Sequence, residues 1–316
     1  MSSPSPTSND LPAAPSAERA VRAIERAAIV ADGGIASPVV VATQADLQVL
    51  PVPIVRAGLD RVLMGPNVED GLDALLAAGV LDVLLPEVGA MVGFGDGEWR
   101  HKDIWKHTKQ VVAQATSKIE VRWGALLHDI GKMRTRSISP EGEVHFFGHA
   151  EVGARMFDKL HRRLPLFAED ETLRVEIRFL ILHHLRAAQY DPSWTDSAVR
   201  RFAKEIGAHL PDLLCLSRAD ITTKRPEKKR RGLRQIDDLA ARVAAVLDED
   251  AKVPPLPKGL GTAIAERFAL PLGPGLGVVM RALTTAVEAG EVPAHQPADV
   301  YLDFLAEHAD RFALGK

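Results

Sequence analysis

The sequence contains one cysteine, Cys215, in 316 residues. A single thiol closes no intramolecular disulfide and builds no cysteine-rich zinc site, so a stapled secreted scaffold and a zinc finger are excluded, and a reducing cytoplasm is the expected compartment. Aromatic side chains make up only 5%. Strands draw on aromatic and β-branched residues, so a chain rich in Ala, Leu and Arg is expected to be helical. No stretch approaches the ~20 uninterrupted apolar residues that span a bilayer. The Ser/Pro/Ala-rich start, Met1 to Ser16, has neither a basic n-region nor an apolar h-region, so neither export nor a membrane partner is expected. Charge of one sign is lacking too. A formal net charge of −3 gives no global field for a polyanion, and any nucleic-acid contact must come from a local basic patch. Internal repeats and sustained heptads are also missing, which excludes solenoids and long coiled coils.

What is present is an ordinary globular mixture, 46% apolar and 26% charged, long enough for about two domains of ~150 residues. The expected fold is all-α. Residues 1–16 read as a tail too poor in large apolar groups to offset the entropy of ordering, and residues 17–100 as a helical lead-in. Residues 101–250 form a central domain and 251–316 a C-terminal helical region. Within the lead-in, Val21, Ile24, Ala28 and Ile29 recur on one helical face until Gly33-Gly34 stops it. Val68 to Ala78 and Gly79 to Leu85 predict two short helices broken at Gly79, the first capped by Asn67. RSISPEG (136–142) punctuates the central domain. After Pro254, Pro255 and Pro257, helices are expected at 259–269, 275–289 and 297–312. Cys215, inside PDLLCLS, reads as a core residue.

Seven of the eleven histidines, at 107, 128, 145, 149, 161, 183 and 184, fall in one quarter of the chain. The sharpest signal is His128-Asp129. The apolar helical run VRWGALL (121–127) delivers this ionisable pair at its end, and burying such a pair unpartnered costs several kcal/mol, roughly. A bound cation removes that cost. Imidazole with carboxylate suits Mn, Fe, Co, Ni or Mg better than a structural tetrahedral zinc.

His107, His128-Asp129, His149, His183-His184 and Asp220 occur in the order and context of a known family: this chain resembles the HD-domain metal-dependent phosphohydrolases. The resemblance implies metal ligation by His107, His128, Asp129 and Asp220, with His149 and His183 or His184 joining if a second ion is present. His183 and His184 point about 100° apart on a helix, so one of the two faces the site. The segments HKDIWKHT (101–108), ALLHDIGK (125–132), FFGHAEVGA (146–154), WTDSAVRRF (194–202) and LLCLSRADITTK (213–224) are more specifically similar to bacterial tRNA nucleotidyltransferases that carry an HD region. That similarity runs from about Leu59 to near Asp303, and PLPKGLGTAIAERFALPLGPGLG (255–277) resembles the segment following the HD region. The family's catalytic head has no counterpart before residue 59, where Gly33-Gly34 lacks the following Arg-Asp. Nucleotide addition is therefore not expected.

The expected chemistry is hydrolysis of a phosphomonoester or phosphodiester of a nucleotide or RNA end, such as that of tRNA, with one or two divalent ions as cofactor. Ligand Asp129 sits at the catalytic centre. Lys132 and Arg186 would neutralise charge building on the phosphoryl oxygens, and His149 would ligate or protonate the leaving oxygen. Asp103, four residues before His107 on the same helical face, would orient that imidazole. The run KRPEKKRRGLR (224–234), with Lys228, Lys229, Arg230 and Arg231 at its centre, is the expected phosphate or RNA contact. The alternative is a non-catalytic RNA-binding or partner module, or an accessory HD subunit in tRNA 3′-end processing.

Overall fold

The computed structural model describes residues 15–35, 38–94, 103–251 and 254–314. The expected tail falls outside them up to residue 14. Helix dominates, as composition predicts. The one sheet among the described residues is an antiparallel pair, β1 (Ser137–Ile138) and β2 (Val144–His145), which turns the RSISPEG punctuation into a hairpin. No helix among the described residues is long and apolar enough to cross a membrane.

The chain forms two compact units, Met1–Ala244 and Ala245–Lys316. The first begins with α1 (Pro15–Ala31), whose inner face is a seam of Ala20, Ala23, Ala27 and Ala31. Such small side chains let α3 (Val52–Met64) and α4 (Val68–Ala77) approach closely, and a Cβ added at Gly71 of α4 would lie 2.6 Å from that of Ala31. Between them, α2 (Gln44–Gln48) starts with a capping box of Thr43 and Asp46. Gly79, at φ 74°, separates α4 from α5 (Val80–Leu84), where the sequence placed the break; α6 (Pro86–Gly89) follows. Asn67 precedes α4 without capping it. Its side chain makes no bond to the helix, and its amide instead packs over Gly33.

The centre of the unit is α8 (Ile119–Leu127), whose residues from Val121 to Leu127 are all buried. It packs against α3, α7 (Ile104–Gln114), α11 (Glu171–His183) and α13 (Leu210–Ala219). Trp123 fills the interior edge-on to Phe167 and donates its indole N–H to Asp60 at 2.7 Å. Burial of each such side chain stabilises by about 2–3 kcal/mol. After α8 come α9 (Lys132–Thr135), the hairpin and α10 (His149–Arg163). Then α12 (Asp196–Ile206), capped by Thr195, precedes α13. Cys215 on α13 is half-buried, less enclosed than its apolar neighbours suggested. The last helix of this unit, α14 (Pro226–Ala251), begins with the basic run and continues past Ala244.

The second unit holds α15 (Leu260–Arg267), α16 (Pro274–Glu288) and α17 (Ala298–Glu307) around Ile264, Leu283, Tyr301 and Leu305. Helix α17 stops before the expected 312. The chain reverses there, with Leu314 N–H donating to Ala309 at 2.9 Å, and this turn rather than a helix buries Phe312.

Candidate metal centre

Because α8 is buried on every side, whatever follows it is delivered into the interior. His128 and Asp129 occupy that position and are each 1% exposed. The turn then packs against α10 with no room to spare: a Cβ on Gly131 would lie 2.0 Å from the His149 carbonyl oxygen. Only glycine permits this approach. It brings the start of α10 to Asp129, and α11 ends alongside, bringing His184.

Three histidines are held alike. Nδ1 of His128 donates to the Ala125 carbonyl at 2.7 Å, that of His149 to Phe146 at 2.7 Å, and that of His184 to Ile181 at 2.8 Å. A carbonyl only accepts, so each Nδ1 carries the proton and each Nε2 turns a lone pair inward. A fourth imidazole, His107 of α7, is oriented by Thr222, whose Oγ1 lies 2.9 Å from its Nδ1.

These atoms converge on Asp129. Its Oδ2 lies 3.2 Å from His128 Nε2 and 3.5 Å from His107 Nε2; its Oδ1 lies 3.5 Å from His149 Nε2 and 3.9 Å from His184 Nε2. Asp220, just past α13, places Oδ1 3.0 Å from His107 Nε2 and 3.7 Å from His128 Nε2. Two sets of three donors that could hold a metal result, His107–His128–Asp129 and Asp129–His149–His184, and Asp129 belongs to both.

The residues fit a cation on their own chemistry. His128 Nε2 and Asp129 Oδ1 are fully buried and make no hydrogen bond. Leaving such groups unmatched costs roughly 1–3 kcal/mol each, more for a charge, and a cation shared among the donors satisfies both. The donor set is imidazole and carboxylate without thiolate, which suits Mn, Fe, Co, Ni or Mg.

Electrostatics favour ionised carboxylates at Asp129 and Asp220 and neutral imidazoles at His149 and His184. Burial pushes His184 down to about 4, and it lowers His149 as well. Burial opposes ionisation of Asp129, yet His128 beside it holds the carboxyl well below the usual carboxylate range. For Asp220, enclosure raises the carboxyl, but the hydrogen bond from His107 and the nearby His128 bring it down to about 2. Enclosure lowers His128, and Asp129 reverses this so that the net direction is up.

The structure separates the residues singled out in the sequence. His107, His128, Asp129, His149, His184 and Asp220 come together. His183 turns away and packs on the Phe179 ring at 4.2 Å, so His184 is the member of the pair that faces the centre. Lys132 is at the centre with Nζ 2.5 Å from Asp129 Oδ2, so it already has a carboxylate partner. Arg186 is engaged elsewhere, with its guanidinium bound by Glu205 of α12 at 2.5 Å. Asp103 does not orient His107: as the residue preceding α7, its carboxylate accepts the Lys106 N–H at 3.1 Å. Within the basic run, Lys229 bonds Gln114 at 3.1 Å and Arg230 pairs with Glu227, while Lys228 and Arg231 border a cavity beside Asp220. Sequence reasoning missed Thr222, although it stands two residues past Asp220 in the same SRADITTK motif.

Residues 104–248 match the family model described as HD domain. An A-adding tRNA nucleotidyltransferase of Deinococcus radiodurans is 33% identical over 268 residues, covering 82% of this chain and 60% of that protein. A CC-adding tRNA nucleotidyltransferase of Thermus thermophilus is 31% identical over 256 residues, 78% of this chain and 55% of the relative. A multifunctional CCA protein of Ectopseudomonas mendocina is 29% identical over 150 residues, covering 46% and 36%. The chain thus spans no more than 60% of the length of these relatives. Residues 104–248 of this chain are an HD domain, and its homologues over that region are tRNA nucleotidyltransferases.

Proposed function

We propose that this chain is a metal-dependent phosphohydrolase of the HD type, acting in the cytoplasm on a phosphate ester of a nucleotide or RNA end. The observation that carries the reading is the sharing of one buried carboxylate, Asp129, by two sets of histidine donors, with His128 Nε2 and Asp129 Oδ1 buried and without a hydrogen bond.

His107, His128, Asp129 and Asp220 would hold one divalent ion, and Asp129, His149 and His184 a second. When bound, such an ion supplies Lewis acidity toward a phosphoryl oxygen and activates water for attack on phosphorus. The protein's own contribution is positional. The three backbone carbonyls fix the histidine tautomers, Thr222 fixes His107, and the α8 turn keeps Asp129 out of water. Lys132 places a positive charge next to the carboxylate, on the side where His107, Lys132 and Asp220 remain partly exposed, at 14%, 22% and 30%. Substrate enters from that side, and Lys132 would offset charge developing on its oxygens.

The test is turnover of a small phosphate ester by the purified chain with Mn, Co, Ni or Mg, set against Asp129→Asn. Metal-dependent release of phosphate that falls at least a hundredfold in the variant supports the reading. A rate unchanged by the substitution overturns it. The likeness to A-adding and CC-adding tRNA nucleotidyltransferases favours a second reading, in which the HD region serves as an RNA-binding module or accessory in tRNA 3′-end processing. Binding of tRNA without hydrolysis of any ester would favour it.

A further inference from the structure

The four cations of residues 228–231 are not equivalent. Lys229 and Arg230 have side-chain partners in Gln114 and Glu227, whereas the side chains of Lys228 and Arg231 make no hydrogen bond or ion pair among the described residues. These two line a cavity of about 340 Å³. With Gln235 they occupy positions i, i+3 and i+7 of α14, one face of the helix. Gln235 is fixed by the carbonyls of Ala188 and Tyr190, at 3.2 and 2.5 Å. The opposite wall is the turn after α13, with Asp220, Thr222 and Thr223.

Two of those wall residues belong to the metal centre. Asp220 approaches His107 Nε2, and Thr222 holds its Nδ1. The cavity therefore begins where the centre ends. Lys228 and Arg231, neighbouring like charges on one helical face, repel each other, and a concave wall concentrates their field. An anion relieves that repulsion, and a phosphate suits both the ammonium and the guanidinium. Lys224 and Arg225, both exposed, carry the positive surface beyond the cavity.

We propose that this cavity holds the phosphate next to the reacting one in a single-stranded RNA end, so that the substrate is a polynucleotide and not a nucleoside monophosphate. The inference rests on the hydrolytic reading only for the position of the reacting phosphate. Two adjacent anion positions, one at the centre and one between Lys228 and Arg231, call for a ligand with at least two phosphates. The cations continuing to Lys224 match a strand better than a compact polyphosphate.

The experiment measures binding without turnover. Fluorescence anisotropy of a labelled single-stranded RNA 12-mer is followed against the full chain in chelator, over a range of salt. The Lys228→Gln/Arg231→Gln variant is expected to bind about tenfold more weakly, with a salt slope shallower by about 0.7, the value for one neutralised phosphate on a single strand. Each single variant should bind about threefold more weakly, and Lys229→Gln/Arg230→Gln should stay within about twofold of wild type. Adenosine monophosphate should fail to displace the RNA at equal concentration. Equal losses in the two double variants, an unchanged salt slope, or displacement by the mononucleotide would overturn the proposal. Small-ester turnover by the wild-type chain is read separately, so failure of the hydrolytic reading and failure of this one are told apart.

Discussion

His149 and His184 face each other through their Nε2 atoms at 3.1 Å, while both Nδ1 atoms are engaged by backbone carbonyls. Two neutral imidazoles in that geometry oppose lone pair to lone pair. A proton between them would relieve the repulsion, but burial resists it, with His184 pushed to about 4. A cation is the remaining solution at neutral pH. Adding Mn²⁺ to metal-free protein should therefore raise the melting temperature, by the equivalent of about 2.7 kcal/mol at a hundredfold excess over Kd. His184→Ala should abolish at least half of that gain. Calorimetry that finds no metal-dependent shift contradicts this account of the pair.

Gly131→Ala is expected to disrupt the centre although it adds only one carbon. The new Cβ would meet His149 O at 2.0 Å and Gly153 N at 2.7 Å, both backbone atoms that cannot swing aside. Overpacking of this kind costs about 1–3 kcal/mol or more. Urea unfolding should show a loss of at least ~2 kcal/mol together with weaker metal uptake. A change below ~0.5 kcal/mol would show that α10 does not depend on this approach.

Arg122 is buried on α8, no carboxylate among the described residues pairs with it, and burial lowers its pKa. Its guanidinium donates to the Leu63 carbonyl at 2.7 Å and the Ala115 carbonyl at 3.2 Å. These carbonyls close the ends of α3 and α7, where the helix dipoles present negative charge. Arg122→Ala leaves both unsatisfied and should destabilise by about 3 kcal/mol, a value read from denaturant midpoints. An effect under ~1 kcal/mol would rule out this bridging role.

Much of the site was legible because its strongest cue is local. An apolar run that ends in His-Asp and then Gly forces two ionisable groups into the core, and no long-range contact is needed to see it. Choosing between His183 and His184 was not local, since helix phase says only that they diverge; the ring contact with Phe179 takes His183 away. The pairing of Arg186 with Glu205 is invisible locally, because Glu205 comes from another helix. Asp103 carries two cues in the sequence, a cap before α7 and a four-residue spacing to His107, and the fold uses the cap. Helix order was recoverable from periodicity and from Gly79, whereas the early end of α17 depends on Phe312 folding back onto the second core.

The Asp46 carboxyl is held at about 2, first by its hydrogen bond from Arg19 and then by the Thr43 N–H. A depressed native pKa means that the unfolded chain takes up the proton first as pH falls. The stabilisation from Asp46 is present above about pH 4 and disappears toward pH 2. Wild-type urea midpoints should accordingly fall more steeply than those of Asp46→Asn over that window, with wild type the more stable at neutral pH. Parallel curves would show that the Arg19–Asp46 pair contributes nothing.

The most direct measurement is the metal content of the natively purified chain, by plasma mass spectrometry after exhaustive dialysis, beside Asp129→Asn prepared identically. The account predicts one to two equivalents of a divalent metal per wild-type chain and less than a tenth of that in the variant. A wild-type chain that is metal-free and takes up none of Mn, Co, Ni or Mg on titration, or a variant that retains the same content, contradicts it.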